Sequence, residues 1–375
     1  HLQKFEEAVP CYDKAISLDE NNVDAWYFKG IALHHLQKYE EAVPCYDKAI
    51  SIDENHAYAW SNKGKLLNYF EKHEEAISCF DKVISIDENN VDAWSNKGLA
   101  LFLLQKFEEA VPCYDKVISL DENNADAWHF KGLALHRLEK NEEAISCFDK
   151  LISLDENHAD AWDFKGNTLR NLGKHEEAVP CYDKAISIDE NHVDAWLDKG
   201  FTLAILGKHE EAISCFDRST VIDKNYSRAW FYKGVALHRL GKHEEAISCY
   251  DKAISIDENH VNAWHAKGDS LRNLGKHEEA ISCYDKAISL DENNADAWNN
   301  KGNSLRNLGK HEEAISCYDK VISLDENNVV FWNNKGLALH RLEKNEEAIS
   351  CYDKAISIDE NNADAWNNKG NSLRN

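Results

Sequence analysis

The sequence predicts an all-α solenoid built from antiparallel helix pairs. The first observation is a period of 34 residues, which places all eleven tryptophans in one register from Trp26 to Trp366. All eleven cysteines follow the same period, from Cys11 to Cys351. The second observation is that each period contains two amphipathic stripes of helical spacing. Because units of this kind bury their apolar faces against their neighbours, one domain spanning residues 1–375 is expected.

The unit from 295 to 328 illustrates both helices. Its first stripe contains Trp298 and Gly302, and Gly309 is expected to end the first helix in the left-handed conformation. Its second stripe begins at Ala314, and an acidic, asparagine-rich turn leads to the next unit. Gly302 and Ala314 are expected to leave room for the Trp298 indole, so that the two helices approach closely.

The period also sets the boundaries within the chain. Residues 1–22 form a partial repeat with a second helix alone, residues 23–362 form ten full repeats, and residues 363–375 form a partial repeat with a first helix alone. His1 and Asn375 fall at the same position of the repeat. The plainer expectation is that the chain is a fragment of a longer array. The alternative is structural: the half-repeats of separate chains complete one another head to tail and form a filament.

The pattern made by Trp298, Gly302, Leu305, Ala314 and Tyr318 resembles the tetratricopeptide repeat, and it covers essentially the whole chain. Leucine and alanine fill their two positions in all eleven copies. The resemblance implies a right-handed superhelix in which first helices line a concave groove and second helices lie outside. It also implies a non-enzymatic scaffold that binds an extended peptide or a partner protein along the groove.

The sequence departs from the family pattern at two kinds of site. Lysine stands where the family usually has leucine, from Lys29 to Lys369, and it is expected to bury its stem while its ammonium stays in water. One unit is unusual around Arg218 and Tyr226. The lysine and asparagine clamp by which chaperone-binding relatives hold a terminal carboxylate is not reproduced, so that subclass is rejected.

Net charge limits the kinds of partner. The formal charge is -24, spread evenly along the chain, and it would repel nucleic acid and anionic membranes. No stretch approaches 18 consecutive apolar residues, so membrane insertion is not expected either. A peptide or protein partner, or further copies of the chain itself, are the partners that stay open.

The candidate binding surface consists of first-helix side chains opposite the packed stripe, which also vary most along the chain. Regularly spaced asparagines there can bond the backbone of an extended peptide, and arginines can meet a carboxylate. This ladder is similar to the one that lines the repeat domain of O-linked N-acetylglucosamine transferases. The polar candidates are Asn299, Asn300, Asn303, Arg306, Asn333, Asn334, His340, Asn367, Asn371 and Arg374. Solvated surface residues would show the same pattern.

Toward the N-terminus the same positions become apolar or aromatic, which is typical of an interface. These candidates are Tyr27, Ile31, Leu99, Phe102, Leu197, Phe201 and Phe231. A partner of the predicted groove would therefore need an apolar end and a polar end.

The remaining chemistry-bearing residues predict no catalytic, metal or cofactor site. Serines and histidines recur on separate helices, and the His-Glu-Glu strings lack the second histidine of a zinc helix. Successive cysteines should lie too far apart for disulfides, so eleven free thiols are expected. Free thiols favour a cytoplasmic location, and an extracellular one stays open because the true N-terminus is expected to lie outside this sequence. Asn225 begins the single glycosylation sequon.

Overall fold

The computed structural model describes residues 2–374, which form helices joined by short turns. His1 and Asn375, the two residues given the same repeat position above, lie outside the described residues. Residues up to Glu190 belong to one compact unit, and residues from Asn191 belong to a second. The single domain expected from the period stays a prediction.

The first unit contains consecutive helices that pack on one another in chain order. Their bounds are α1 Leu2–Leu18, α2 Val23–His35, α3 Tyr39–Ile52, α4 Ala57–Tyr69, α5 His73–Ile86, α6 Val91–Leu103, α7 Phe107–Leu120, α8 Ala125–Arg137, α9 Asn141–Leu154, α10 Ala159–Asn171 and α11 His175–Ile188.

The second unit is built in the same way. Its helices are α12 Val193–Ile205, α13 His209–Ile222, α14 Ser227–Arg239, α15 His243–Ile256, α16 Val261–Asn273, α17 His277–Leu290, α18 Ala295–Asn307, α19 His311–Leu324, α20 Val329–Arg341, α21 Asn345–Ile358 and α22 Ala363–Arg374. Even-numbered helices are the first helices of their repeats and odd-numbered ones the second. The predicted all-α fold of consecutive helix pairs is confirmed.

Asparagine caps some of the first helices, and histidine caps others. The Asn294 side chain accepts the backbone N–H of Ala297 at 2.9 Å, and the His260 Nδ1 atom accepts that of Ala263 at 3.3 Å. Each bond satisfies an amide that the first turn would otherwise leave unpaired. An imidazole accepts through Nδ1 only while that nitrogen carries no proton.

We therefore expect the His260→Asn variant to be more stable than the wild-type protein at low pH. Burial lowers the pKa of His260 below its ordinary 6.5. The folded state then binds fewer protons than the unfolded state, so this contribution is present above pH 6.5 and is lost as the pH falls toward the lower folded value. Urea midpoints should agree within error at pH 7.5, and the variant should be about 0.5 kcal/mol more stable at pH 5.5. An equal difference at both pH values would contradict this.

The turn within each repeat uses a residue in the left-handed conformation. Gly309 has φ +78°, as the sequence predicts, and four more glycines stand at the matching position of other repeats. In five repeats the same position holds a non-glycine residue with φ between 58° and 60°. These residues are Gln37, Glu71, Gln105, Glu139 and Glu343. They keep the turn at a conformational cost of roughly 1–2 kcal/mol each.

A buried ring lies between the two helices of each repeat. Tyr318 is 0 % exposed, and a Cβ added to Gly302 would lie 2.7 Å from its Cε1. The interpretation that Gly302 makes room for Trp298 is therefore wrong, because the ring of the same repeat's second helix fills that space. Trp298 packs at the edge of the cluster that contains Leu305 and Ala314.

The lysine that departs from the family pattern joins one repeat to the repeat before it. The Lys301 Nζ atom lies 2.6 Å from an Asp285 carboxylate oxygen and 5.4 Å from the centre of the Trp298 ring. The Trp298 indole N–H donates to the Glu292 carbonyl at 3.0 Å. Since this ion pair is partly exposed, it contributes on the order of 0.5 kcal/mol, and the lysine stem supplies the packing.

All eleven cysteines are free thiols, as predicted. Ten are buried, and Cys11 is exposed. Burial raises the pKa of Cys79 to about 11 and that of Cys113 to about 11. At neutral pH these two side chains are therefore protonated apolar fillers and weak nucleophiles.

Candidate functional site

The candidate surface is the first-helix face, which we define as the first-helix side chains opposite the buried stripe. In the second unit most of its predicted polar members are half-buried, and they include Asn299, Asn300, Asn303, Arg306, Asn333, Asn334 and His340. Asn367, Asn371 and Arg374 are exposed on α22. The face is therefore accessible over residues 295–374, although its side chains also contact one another.

Hydrogen bonds between the side-chain amides of asparagines on successive first helices form a ladder on this face. Asn334 Nδ2 donates to Asn299 Oδ1 at 3.0 Å, and Asn368 Nδ2 donates to Asn333 Oδ1 at 3.0 Å. Each bond joins a repeat to the repeat before it. The sequence predicted regularly spaced amides but not that they bond one another. One role of the asparagines is thus to hold neighbouring repeats together.

Arg306 lies beside this ladder with an incompletely satisfied guanidinium. Its nearest bond is a long one, 3.4 Å to Asn303 Oδ1. Asn303 Oδ1 also accepts the Tyr318 hydroxyl at 2.9 Å. In the part of the chain that the structure describes, no carboxylate oxygen lies within 4.0 Å of Arg306. The side chain is half-buried, so its charge is also partly removed from water.

One repeat earlier the equivalent arginine has a carboxylate neighbour. Arg272 lies 3.7 Å from an Asp269 oxygen, and the same carboxylate accepts the Tyr284 hydroxyl at 2.8 Å and an Asn300 amide N–H at 2.9 Å. Burial, together with the Asp269 charge, raises the pKa of Tyr284. Arg272 is therefore compensated within the chain, and Arg306 is not.

The buried tyrosine hydroxyls provide a matched test of these contacts. Tyr114 has a buried hydroxyl with no partner among the described residues, so Tyr114→Phe should raise the free energy of unfolding by up to about 1 kcal/mol. Tyr318→Phe removes the bond to Asn303 and should lower it by about 1 kcal/mol. Phenylalanine already fills this position in three repeats, at Phe80, Phe148 and Phe216. Urea unfolding followed by circular dichroism measures the free energy of unfolding of both variants. Changes of the same sign would contradict the assignment of an unpaired hydroxyl to Tyr114 and a paired one to Tyr318.

His340 differs from the asparagines because two neighbouring side chains contact one of its ring nitrogens. The Nδ1 atom lies 3.0 Å from Asn345 Oδ1 and 2.9 Å from the Ser372 hydroxyl. Similar pairs join His136 to Thr168 at 2.9 Å and His238 to Ser270 at 2.7 Å. This pairing of a histidine with a hydroxyl of the next repeat was not predicted. Burial lowers the pKa of His136 and of His238.

The predicted apolar candidates of the first unit are also engaged in packing between repeats. Tyr27 lies 4.7 Å from His56, ring centre to ring centre, and its hydroxyl accepts from Asn62 at 3.4 Å. Phe102 lies 5.2 Å from Phe107 and 5.9 Å from Phe130. Ile31 and Leu99 are half-buried. These side chains expose part of their surface while they stabilise the array.

The apolar candidates of the second unit divide into two groups. Phe201 lies 5.0 Å from Tyr232, and Phe231 lies 4.9 Å from His260, and both phenylalanines are half-buried. Leu197 is 1 % exposed. A partner cannot contact Leu197 without rearrangement, so Leu197 does not belong to the accessible face.

Other first-helix residues expose more apolar surface than the predicted ones. Tyr58 is 72 % exposed, Tyr69 66 %, Leu103 50 % and Ile205 48 %. They lie at the two ends of their helices, where the sequence pattern also places charged residues in other repeats. They were not among the named candidates, because periodicity identifies the buried stripe more sharply than it ranks the rest of the helix.

Over residues 2–374, no group of three or more histidine, cysteine, aspartate or glutamate side chains is arranged to hold a metal ion. None of the helices described in that range is long and apolar enough to cross a membrane.

Within each unit, the helix pairs contact mainly the neighbouring pairs. These contacts are a repeated set of buried rings, ion pairs and hydrogen bonds between asparagine side chains. This arrangement defines a helical repeat protein. Tetratricopeptide repeat sequence profiles match residues 1–214 and 227–375, and one of them alone matches 23–124, 227–260 and 295–362. The chain belongs to the tetratricopeptide repeat family. As for repeats of this family generally, its role is that of a protein-interaction scaffold.

A solved structure supports the fold. The chain resembles the APC/C hetero-tetramer Cut9-Hcn1 with a TM-score of 0.51 and 18 % identity, over 96 % of this chain and 80 % of that chain. YrrB, described as a TPR protein with an unusual peptide-binding site, matches at 29 % identity over 50 % of this chain and 97 % of its own, with a TM-score of 0.42. Among curated protein sequences, none matches this chain closely enough to count as a relative.

Proposed function

We propose that the first-helix face of residues 295–374 binds an extended peptide that carries a carboxylate. The observation that carries this proposal is Arg306, a half-buried guanidinium with no carboxylate neighbour in the described chain. An incoming carboxylate would form charge-assisted hydrogen bonds with Arg306 that the chain itself does not supply.

The asparagine ladder supports the same proposal through its unused groups. Asn299 and Asn333 use their side-chain oxygens to accept from the next repeat. Their amide nitrogens keep donors that can bond the carbonyl groups of an extended peptide. Because the oxygens are fixed by neighbours, the donors are held in place before the peptide arrives, which lowers the entropic cost of binding.

A substitution that keeps the ladder and removes these donors tests the proposal. Asn299→Asp with Asn333→Asp preserves the accepting oxygens, removes the N–H groups and adds two negative charges. The probe is a peptide selected on the wild-type protein from a random 12-residue display library. Its affinity should fall by about tenfold or more, because the change removes two hydrogen bonds worth roughly 0.5–1.5 kcal/mol each and adds two negative charges to a face proposed to bind a carboxylate.

The matched control places the same change outside the face. Asn293 and Asn327 are exposed in the turns that precede α18 and α20, so Asn293→Asp with Asn327→Asp adds equal charge elsewhere. This control should retain the wild-type affinity, and Arg306→Gln should lose most of it. Equal affinities for all variants, or an equal loss in the control, would contradict the proposal. Sedimentation of the protein alone tests the alternative of head-to-tail self-association.

A further inference from the structure

One repeat carries a different surface on its second helix. We call this surface the Val221 groove; it lies between α13 and α15 and is lined by Val221, Lys224, Trp230, Lys252, Ile256 and Asp217, which pairs with Lys233, among others. In the other ten repeats, serine stands where Val221 does and glutamate stands where Lys224 does. The stretch 215–226, which contains both changes, is also the stretch that the tetratricopeptide profiles leave unmatched.

The groove at the start of the chain shows the ordinary arrangement. Its lining includes Ser17 and Glu20 beside Trp26. The Ser17 hydroxyl donates to the Lys14 carbonyl at 2.7 Å, as serines at this position do in several other repeats. The ordinary groove is thus polar and acidic. The change to valine and lysine makes one wall apolar and reverses the charge beside it.

These changes do not improve the packing of the repeat. Val221 is 64 % exposed, and Ile256 beside it is 37 % exposed. In the same helix as Val221, Ser219 is 0 % exposed at a position where other repeats have alanine, valine or leucine. A buried serine contributes less to the core than an aliphatic residue. An exposed valine in a helix that also carries this buried serine indicates that the surface around Val221 serves contact with another molecule rather than stability.

The local charge identifies the kind of partner. The stretch 218–228 has a net charge of +2, because it contains three basic residues and one acidic residue: Arg218, Lys224, Arg228 and Asp223. The matching stretch 286–296 has a net charge of -2. In the described chain, neither Lys224 nor Lys252 has a carboxylate oxygen within 4.0 Å. Both ammonium groups are therefore available in a protein whose total charge is -24.

We propose that the Val221 groove is a second binding surface that holds an acidic segment of a partner protein through one apolar side chain and adjacent carboxylates. The apolar side chain packs on Val221, Ile256 and the Trp230 ring. The carboxylates pair with the ammonium groups of Lys224 and Lys252. Apart from Trp230 of α14, this surface lies on second helices and on the turn after α13, and it is separate from the first-helix face.

The test uses a fluorescein-labelled peptide in which aspartate and glutamate flank two leucines, and a neutral peptide in which asparagine and glutamine replace the acids. Fluorescence anisotropy at low salt should show binding of the acidic peptide and at least about tenfold weaker binding of the neutral one. Val221→Ser with Lys224→Glu restores the residues of the other repeats, so the variant is expected to fold. It should lose the binding. Unchanged binding by this variant, or equal binding of the two peptides, would overturn the proposal.

A gain-of-function variant completes the design. Ser289→Val with Glu292→Lys, made in the chain that already carries Val221→Ser and Lys224→Glu, rebuilds the two changes in a different repeat. It should restore binding of the acidic peptide to within a few-fold of wild type. If sedimentation of the wild-type protein alone shows dimers that the Val221→Ser/Lys224→Glu variant lacks, the groove binds a second copy of this chain, and the partner-segment proposal is overturned. Asn299→Asp/Asn333→Asp should bind this probe as wild type does.

Discussion

Replacing Gly302 with alanine is expected to lower the free energy of unfolding by about 2 kcal/mol. The new Cβ would lie 2.7 Å from Cε1 and 3.0 Å from Cζ of Tyr318. That ring is 0 % exposed and its hydroxyl is bonded to Asn303, so it cannot move away without disturbing further contacts. The clash outweighs the gain of about 1 kcal/mol that alanine brings to a helix interior.

Gly370 is the matched control, because it occupies the same position of the repeat and a Cβ there would meet nothing within 4 Å. Gly370→Ala should leave the protein unchanged or stabilise it by up to about 1 kcal/mol. Urea denaturation followed by circular dichroism measures both variants. If the two changes had the same effect, the close approach between Gly302 and Tyr318 would not be the reason that glycine occupies this position.

The second large effect should come from the left-handed turns. A variant with glycine at Gln37, Glu71, Gln105, Glu139 and Glu343 relieves five positive-φ residues at once. Each site should contribute about 0.5–1 kcal/mol, since the strain relieved exceeds the extra freedom that glycine gives the unfolded chain. The sites lie in separate repeats, so their effects should add to about 3 kcal/mol.

The reverse change supplies the control for this prediction. Gly241 has φ +74°, and a Cβ added there would meet no atom within 4 Å, so Gly241→Gln should cost about 1 kcal/mol through backbone conformation alone. Urea midpoints that rise in the five-site variant and fall for Gly241→Gln would agree with the account. A five-site variant with an unchanged midpoint would contradict it.

Periodicity could predict the helix pairs because each buried stripe is local to one helix. The end of the first helix at Gly309 follows from the same local chemistry. From the sequence, Trp298 was expected to fill the space above Gly302, but the Tyr318 ring fills it. Residue spacing shows which face of a helix is buried, not which side chain of a neighbouring helix packs there. The left-handed conformation of Gln37 could not be predicted, since glutamine carries no preference for it.

The sequence predicts which positions form the candidate site, but it predicts few of the contacts between their side chains. Asn299 and Asn334 were both expected on the first-helix face, yet their mutual bond depends on how one repeat is placed on the next. Leu197 was expected to be accessible because of its position in the repeat. It is buried, because surrounding residues cover it. The Val221 groove was visible in sequence as an unusual unit, but only the structure places valine and lysine on one surface.

Amide hydrogen exchange with and without the selected 12-residue peptide tests the proposed binding face most directly. Binding to the first-helix face predicts slower exchange in α18 and α20, around Asn303 and Asn333, with little change in the second helices α17 and α19. Protection confined to the second helices, or spread evenly over the chain, would contradict the assignment of peptide binding to this face.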